Sequence, residues 1–281
     1  MDTSLEFKGF DITVENDIAM LLIDRPEKKN AMNMDFFKNL PKAIQTLDQL
    51  EDVRVIILGA KGSSFSAGLD LTALGEITAA QSDNQQNTLT SQATNSKKLY
   101  ENIKFLQESI SSVENCSKPV IAVIQGYCLG GGIDLITACD IRIGTADSTY
   151  SIREVKMAMV ADLGTLQRLP RIISLGHINE LALTGKDIDA NYAKEINLIN
   201  FVGKDIDEAF EYANTTARQI AANSPLVVAG IKKTVTSFLA QEVKERLEDV
   251  AMHNTAYITS NDLIEAVTAF FEKRNPKFTG S

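Results

Sequence analysis

An α/β fold is predicted for this chain, with strand–turn–helix units placed ahead of an all-helical C-terminal region. Apolar β-branched runs at residues 53–58 and 120–124 have the character of strands buried on both faces. Leu99, Ile103, Leu106, Ile110 and Val113 recur at alternating spacings of four and three, the period of an amphipathic helix. Beyond residue 202 the strand signals stop, and residues 205–222, 225–239, 242–259 and 261–273 read as successive helices.

The remaining elements follow in order. Residues 11–14 and 18–23 read as a hairpin around the turn Glu15-Asn16-Asp17. Asn33 or Asp35 starts a helix that runs to about Leu47, with Phe36, Leu40, Ile44 and Leu47 on one face. After the strand at 53–58 comes a turn-rich segment from Gly62 to Asp70. The polar stretch from Gly75 to Asn95 lacks clean periodicity and is expected to be a mobile loop or frayed helix bordering a cleft. Pro119 introduces the second buried strand, and Gly130-Gly131-Gly132 opens a helix reaching about Ala138. Residues 141–144 and 150–152 read as short strands. The division expected is a core over 1–203 that carries the site, and a helical region over 204–281.

Composition narrows the function. With 281 residues, 44% of them hydrophobic, the chain can bury a large core. No apolar run approaches the roughly 20 residues of a membrane span. A formal charge of −9 argues against nucleic acid as the main partner, since that binding draws on basic surface. Residues 1–17 are acidic and lack the features of a secretory or Arg-rich transit segment, and Phe278-Thr-Gly-Ser281 is not the Ser-Lys-Leu address. A cytoplasmic, bacterial enzyme is therefore expected. Cys116, Cys128 and Cys139 lack metal-ligand spacing, and only His177 and His253 are available to help. The cysteines are expected to be reduced and interior, with no metal site.

Chemistry is concentrated in glycine turns and acids. Ser66-Ala67-Gly68-Leu69-Asp70 and Gly130-Gly131-Gly132 each follow a buried strand, and together they can offer two backbone N–H donors to one oxyanion. Read singly, each favours the plainer reading of a tight connection. Asp134 stands in the first turn of the helix after the glycines, where compensation of the helix dipole is the plain alternative. Glu154 follows a strand-like segment; its plain alternative is an ion pair with Arg153 or Lys156. Asp162 lies in an apolar stretch that raises the cost of ionisation, unless it caps a helix at 163–169. Extended chain would hold Glu154 and Asp162 about 26 Å apart. For both to meet one substrate, the segment between them must fold back. Two acids held at different proton affinities can remove a proton at one carbon and deliver one at another.

Several motifs occur in order along the chain: Arg25-Pro-Glu-Lys-Lys-Asn-Ala31, Phe65-Ser-Ala-Gly-Leu-Asp70, Lys118-Pro-Val-Ile-Ala122, Gly126-Tyr-Cys-Leu-Gly-Gly-Gly132, Ala138-Cys-Asp-Ile-Arg142 and Phe270-Phe-Glu-Lys-Arg-Asn-Pro-Lys-Phe278. With them the chain resembles the enoyl-CoA hydratase/isomerase, or crotonase, superfamily over nearly its whole length. The resemblance implies a crotonase-like spiral of ββα units with a helical C-terminal trimerisation region that also closes the coenzyme A pocket. It further implies a homotrimer or homohexamer and an acyl-CoA thioester substrate, with no other cofactor. The implied oxyanion hole is formed by the backbone N–H groups of Leu69 and Gly131. The implied substrate and coenzyme A contacts are Lys28, Lys29, Asn30, Ser66, Ala67, Gly68, Asp70 and Lys273.

Within the superfamily the trio Asp134, Glu154 and Asp162 is similar to the Δ3,5-Δ2,4-dienoyl-CoA isomerases, enzymes of unsaturated fatty acid β-oxidation. That likeness implies Glu154 as base at the alpha carbon, Asp162 as acid at carbon six, and Asp134 beside Glu154; base and acid can be exchanged. Enoyl-CoA hydration, Δ3-Δ2 isomerisation and non-catalytic acyl-CoA binding are the alternatives. Lys156, Ala158 and Asn197 depart from the pattern, where Asp, Gly and Gly are expected. Lys156 would lower the proton affinity of Glu154 if their side chains met.

Overall fold

The computed structural model describes residues 6–71, 92–237 and 240–281. The hairpin forms as read: β1 (Phe10–Glu15) pairs antiparallel with β2 (Ile18–Ile23). Asn16 and Asp17 turn the chain with φ of 52° and 65°, a region that Asn and Asp tolerate better than most residues. Helix α1 (Met34–Gln49) starts at Asn33, whose side chain accepts the Phe36 N–H, and buries Phe36, Phe37, Leu40, Ile44 and Leu47. Strand β3 (Val55–Ala60) begins and ends two residues later than its apolar run suggested. Parallel pairing with β2 sets its limits, Ile18 opposite Val55 and Ile23 opposite Ala60. Most of the polar stretch 75–95 falls outside the described residues, but residues 92–95 are helical, as the start of α2 (Gln92–Asn115).

The chain then alternates between two sheets. Strand β4 (Val120–Ile124) joins the larger one and β5 (Tyr127–Leu129) the smaller, followed by helix α3 (Gly131–Thr137). The same step repeats with β6 (Ile141–Thr145) and β7 (Thr149–Ser151), a 3-10 turn at Glu154–Met157, and the short helix α4 (Thr165–Arg168). Stacking of these ββα steps makes the spiral. Next come α5 (Leu175–Thr184), β8 (Ile188–Asp189), α6 (Ala190–Glu195) and β9 (Phe201–Gly203). Helices α7 (Ile206–Ala221), α8 (Pro225–Ser237), α9 (Ala240–Tyr257) and α10 (Asn261–Glu272) complete the chain. The larger sheet runs β1-β2-β3-β4-β6-β9, parallel from β2 onward; the smaller runs β5-β7-β8.

The larger sheet is covered on both faces, which is why its central strands read as unbroken apolar runs. Ile56, Leu58, Val120, Ala122 and Ile124 face the main core with α1 and α2. Val55, Ile57, Ile121, Val123 and Ile143 face Ala209, Ala213, Ala217 and Ala221, a four-residue repeat along α7 that lets the helix lie close. Helix α9 lies along α2 and reaches α4. Residues 204–281 therefore pack back upon residues 1–203. Cys116, Cys128 and Cys139 are free and buried, as read.

Candidate active site

Backbone pairing zips the two glycine turns together. Phe65 N–H donates to Gln125 O (2.7 Å), Ser66 N–H to Tyr127 O (2.8 Å) and Leu129 N–H to Ser66 O (3.0 Å). On the other side, Met32 N–H donates to Gly68 O (2.8 Å) and Asp70 N–H to Met32 O (2.9 Å). This pattern uses the amides on either side of Leu69 and leaves its own N–H without a protein acceptor among the described residues; the Gly131 N–H is left likewise. The two donors are neighbours: a Cβ placed on Gly131 would stand 3.7 Å from the Leu69 nitrogen. Gly68 must be glycine, because its φ is +91° and a Cβ there would lie 2.8 Å from Leu129 O.

The acids gather beside these turns. The Gly130 N–H donates to Ser151 O (2.9 Å), tying the turn to β7 and so to the 3-10 turn that begins at Glu154. The Glu154 carboxyl lies against Gly130, with Oε1 3.4 Å from where a Cβ would stand. Its Oε2 is buried and has no hydrogen-bond partner among the described residues. Asp134, 1% exposed, accepts the Thr165 N–H at 2.7 Å and so caps α4 from another helix. The fold-back between Glu154 and Asp162 is made by the 3-10 turn and by Ala158, at φ 55°.

Desolvation, with no cation in contact among the described residues, pushes all three carboxyls up. Burial raises Asp134 to about 6, opposed by the Thr165 hydrogen bonds and by the charge of Arg168. Asp162 is raised to about 7 by burial, opposed by a hydrogen bond from Asn254 and reinforced by the charge of Asp134. Glu154 lies well above its ordinary value, chiefly through burial and then through Asp134, with a smaller push from Asp162. The three groups thus act on one another. As a set they can hold a proton near neutral pH while part of the set is ionised.

The plain alternatives for Glu154 and Asp162 do not hold, while Asp134 does stand in the first turn of α3. Gly164, not Asp162, stands at the cap of α4: its φ is +127°, and the Arg168 guanidinium occupies the space where any Cβ would go. Arg153 pairs with Asp187 at 2.6 Å rather than with Glu154. Lys156 lays its side chain along Gly185, so the positive charge anticipated beside Glu154 does not act there. His177 lies near Tyr192 on α5, and His253 is exposed against Tyr257. Among the described residues no cluster of three or more His, Cys, Asp or Glu side chains is arranged to hold a metal ion.

The residues anticipated around coenzyme A divide into two groups. Asn30 is 1% exposed, and its amide accepts Arg25 N–H while donating to Lys61 O and Ser64 O. Its own carbonyl accepts the Ser66 hydroxyl, and that hydroxyl accepts the Gly68 N–H. Asp70 pairs with Arg25. Asn30, Ser66 and Asp70 therefore spend side chains on shaping the turn. Lys28 and Lys29 end an exposed 3-10 turn, with the Lys29 ammonium 4.9 Å from the Tyr127 ring centroid. Lys273 terminates α10 in the left-handed conformation and is exposed.

Sequence reasoning missed the amides that hold Asp162. Asn254 on α9 donates from Nδ2 to Asp162 Oδ2 (2.7 Å) and to Val160 O (2.9 Å). Gln107 on α2 donates from Nε2 to Asp162 O and Leu247 O, both at 2.8 Å. A signal existed: Asn254 falls four residues after Val250 and four before Ile258, within an otherwise apolar helical stripe.

Compared with known proteins, residues 13–281 match the enoyl-CoA hydratase/isomerase family model, and the chain belongs to that family. More particularly, it is 42% identical over 264 residues to a protein of Arabidopsis thaliana named Delta(3,5)-Delta(2,4)-dienoyl-CoA isomerase, peroxisomal, covering 94% of this chain and 93% of that one. It is 41% identical over 261 residues to the mitochondrial protein of that name from Dictyostelium discoideum, covering 93% and 87% respectively. The crystal structure of enoyl-CoA hydratase from Bacillus halodurans matches with a TM-score of 0.82 at 26% identity, covering 93% of this chain and 100% of that one.

These relatives overturn the expectation of a cytoplasmic bacterial enzyme, since they are eukaryotic and named mitochondrial or peroxisomal. Compartment addresses are short segments read by receptors. A spiral core and its acids carry no mark of compartment, so that reading had no positive physical basis.

Proposed function

We propose that the chain converts 3,5-dienoyl-CoA to 2,4-dienoyl-CoA by moving a proton from the alpha carbon to carbon six. The observation that carries this reading is the gathering of buried Asp134 with half-buried Glu154 and Asp162, all three desolvated, beside two backbone donors that lack a protein acceptor among the described residues. Glu154, against Gly130, takes the alpha proton. The electron pair spreads over the conjugated chain and onto the thioester oxygen, held by the Leu69 and Gly131 N–H groups. Asp162 delivers its proton to carbon six, restoring the thioester carbonyl and leaving the double bonds conjugated with it. Asp134, its carboxylate favoured by the Thr165 N–H, remains the fixed charge that raises the proton affinity of the base. The reset of the pair requires Glu154 to lose and Asp162 to regain a proton.

Lys28 and Lys29 supply exposed positive charge for the coenzyme A phosphates, with Lys273 contributing from α10, while Asn30, Ser66, Ala67, Gly68 and Asp70 shape the turn that meets the thioester. No cofactor beyond the coenzyme A of the substrate is needed. A homotrimer, or a hexamer of two trimers, is the assembly we propose: α8 exposes Leu226, Val227, Ile231 and Val235, apolar groups that further copies would cover. Light scattering of the purified protein measures that mass.

Given a 3,5-dienoyl-CoA, the protein should develop the absorbance of a conjugated dienoyl thioester. Asp162→Asn should lower kcat on the order of 10²–10⁴-fold while CoA-thioester binding is kept. Fast hydration of a 2-enoyl-CoA without the dienoyl signal would move the reaction to the hydratase branch. Against hydration stands the engagement of Asp134 with the α4 amide, which takes up one oxygen that a water-gripping pair would use.

A further inference from the structure

We propose that Asn254 is the positioning residue of the proton donor: it locks the Asp162 carboxyl so that Oδ2 only accepts and the transferable proton sits on Oδ1. This rests on the isomerase reading above for its consequence in turnover, though not for the bond itself.

The lock follows from the valences of a primary amide. Asn254 is 2% exposed, on the face of α9 that carries Val250 and Ala251 into the core, with Ile258 buried just past the helix end. Both of its N–H donors are spent, one on Val160 O (2.9 Å) and one on Asp162 Oδ2 (2.7 Å), while its Oδ1 accepts the Val160 N–H at 3.4 Å. Turning the amide over would set its oxygen against two oxygens and its NH₂ against an N–H. The Val160 backbone therefore fixes which end of the amide meets Asp162. Oδ2 faces a donor in both protonation states, and the carbonyl oxygen of a neutral carboxyl is a better acceptor than its hydroxyl. Neutral Asp162 is therefore favoured with its carbonyl at Oδ2 and its proton on Oδ1. Gln107 completes the clamp by holding the Asp162 carbonyl and Leu247 O with one NH₂, which joins the acid's backbone to α2 and α9 together.

The chemistry of the clamp suits its neighbours. Asp162 feels Asp134 from α3 and acts on Glu154 from the 3-10 turn. Helices α2 and α9 meet it with the amides of Gln107 and Asn254. The Arg168 guanidinium of α4 is directed at Glu114, Ser111 and Leu163 O, and its charge acts on Asp134. Asn254 thus supplies a donor without adding charge to an acidic cluster. Its hydrogen bond favours the ionised form and makes Asp162 a better acid than burial beside Asp134 would leave it.

The test is a titration of Asp162 by carbon NMR in protein labelled at the aspartate carboxyl, assigned by comparison with Asp162→Asn. In Asn254→Leu the Asp162 midpoint should rise by about one pH unit. The alkaline limb of the kcat profile should move up with it. At neutral pH kcat should fall on the order of 10²-fold while KM stays within about twofold, because the misplaced group acts in the transition state rather than in binding. Asn254→Ser, smaller and still polar, carries the same test should the leucine variant fail to fold. An unmoved Asp162 midpoint in a folded variant would overturn the proposal. A wild-type protein that does not isomerise 3,5-dienoyl-CoA would remove the isomerase reading instead, and the midpoint would still decide whether Asn254 governs Asp162.

Discussion

Two buried ionic clusters meet at α4, and they are built on opposite plans. At the first residue of the helix, the Thr165 N–H meets an acid that belongs to a set of three. At the last, the fully buried Arg168 donates to Glu114 at 2.9 Å, and Arg171 reaches the same carboxyl. Burial pushes the Glu114 carboxyl up, yet the two guanidiniums bring it below its ordinary value. Asp134, Glu154 and Asp162 have no such partners in contact among the described residues, and burial moves them the other way. The same desolvation therefore gives a structural joint where charge is matched and poised acids where it is not.

The sharpest way to break this comparison is to unpair the joint. Arg168→Met leaves Glu114 buried with one guanidinium instead of two, and should cost about 3–5 kcal/mol in urea denaturation. A cost below about 1 kcal/mol would mean the pairing contributes no more than a surface bridge. Asp162→Asn should act in the opposite direction. Its folded-state proton affinity lies near pH 7, above that of the unfolded chain. Below about pH 4 both states are protonated and the substitution is close to neutral. As pH rises through 7 the native protein loses the stability that protonation supplied, and the amide variant does not. At about pH 8 the variant should be more stable on the order of 2–4 kcal/mol, read from melting curves at several pH values, although it has lost its acid. A variant equally stable at both pH values would show that Asp162 is not strained by burial.

The two clusters also differ in how legible they were. The acids could be picked out from the sequence because they sit in a family-like order, and the strands and helices because their apolar periods are strong. Convergence of the acids was not legible, since it depends on a 3-10 turn and one left-handed residue between Glu154 and Asp162. Asn254 lies 92 positions from Asp162 and belongs to the helical region, which was read as serving oligomerisation and closure of the coenzyme A pocket rather than the acids. Its amide looks the same in sequence whether it meets solvent or a carboxyl. Asn30 shows the converse: a polar residue in a ligand-binding motif whose side chain is spent on Arg25, Lys61 and Ser64. Strand limits slipped at β3 because the partner strand, not the local run, sets them.

The smallest expected effect concerns the backbone that brings the acids together. Two departures from glycine, Ala158 and Asn197, both fall at positive φ, 55° and 66°. Asn tolerates that region through its short polar side chain, whereas a Cβ without such compensation costs roughly 1–2 kcal/mol. Ala158 closes the turn after Glu154, so the poised cluster stores strain in its main chain as well as in its charges, and the paired joint at Arg168 has no counterpart. Ala158→Gly removes the strain but gives the unfolded chain more freedom, which takes back part of the gain. The net should be a stabilisation of about 0.5–1 kcal/mol, measured by denaturant titration. Since the conformation is kept, kcat should change less than about twofold. If activity fell sharply instead, the alanine methyl would itself be part of the wall that holds Glu154 in place, and the strain would belong to the site rather than merely accompany it.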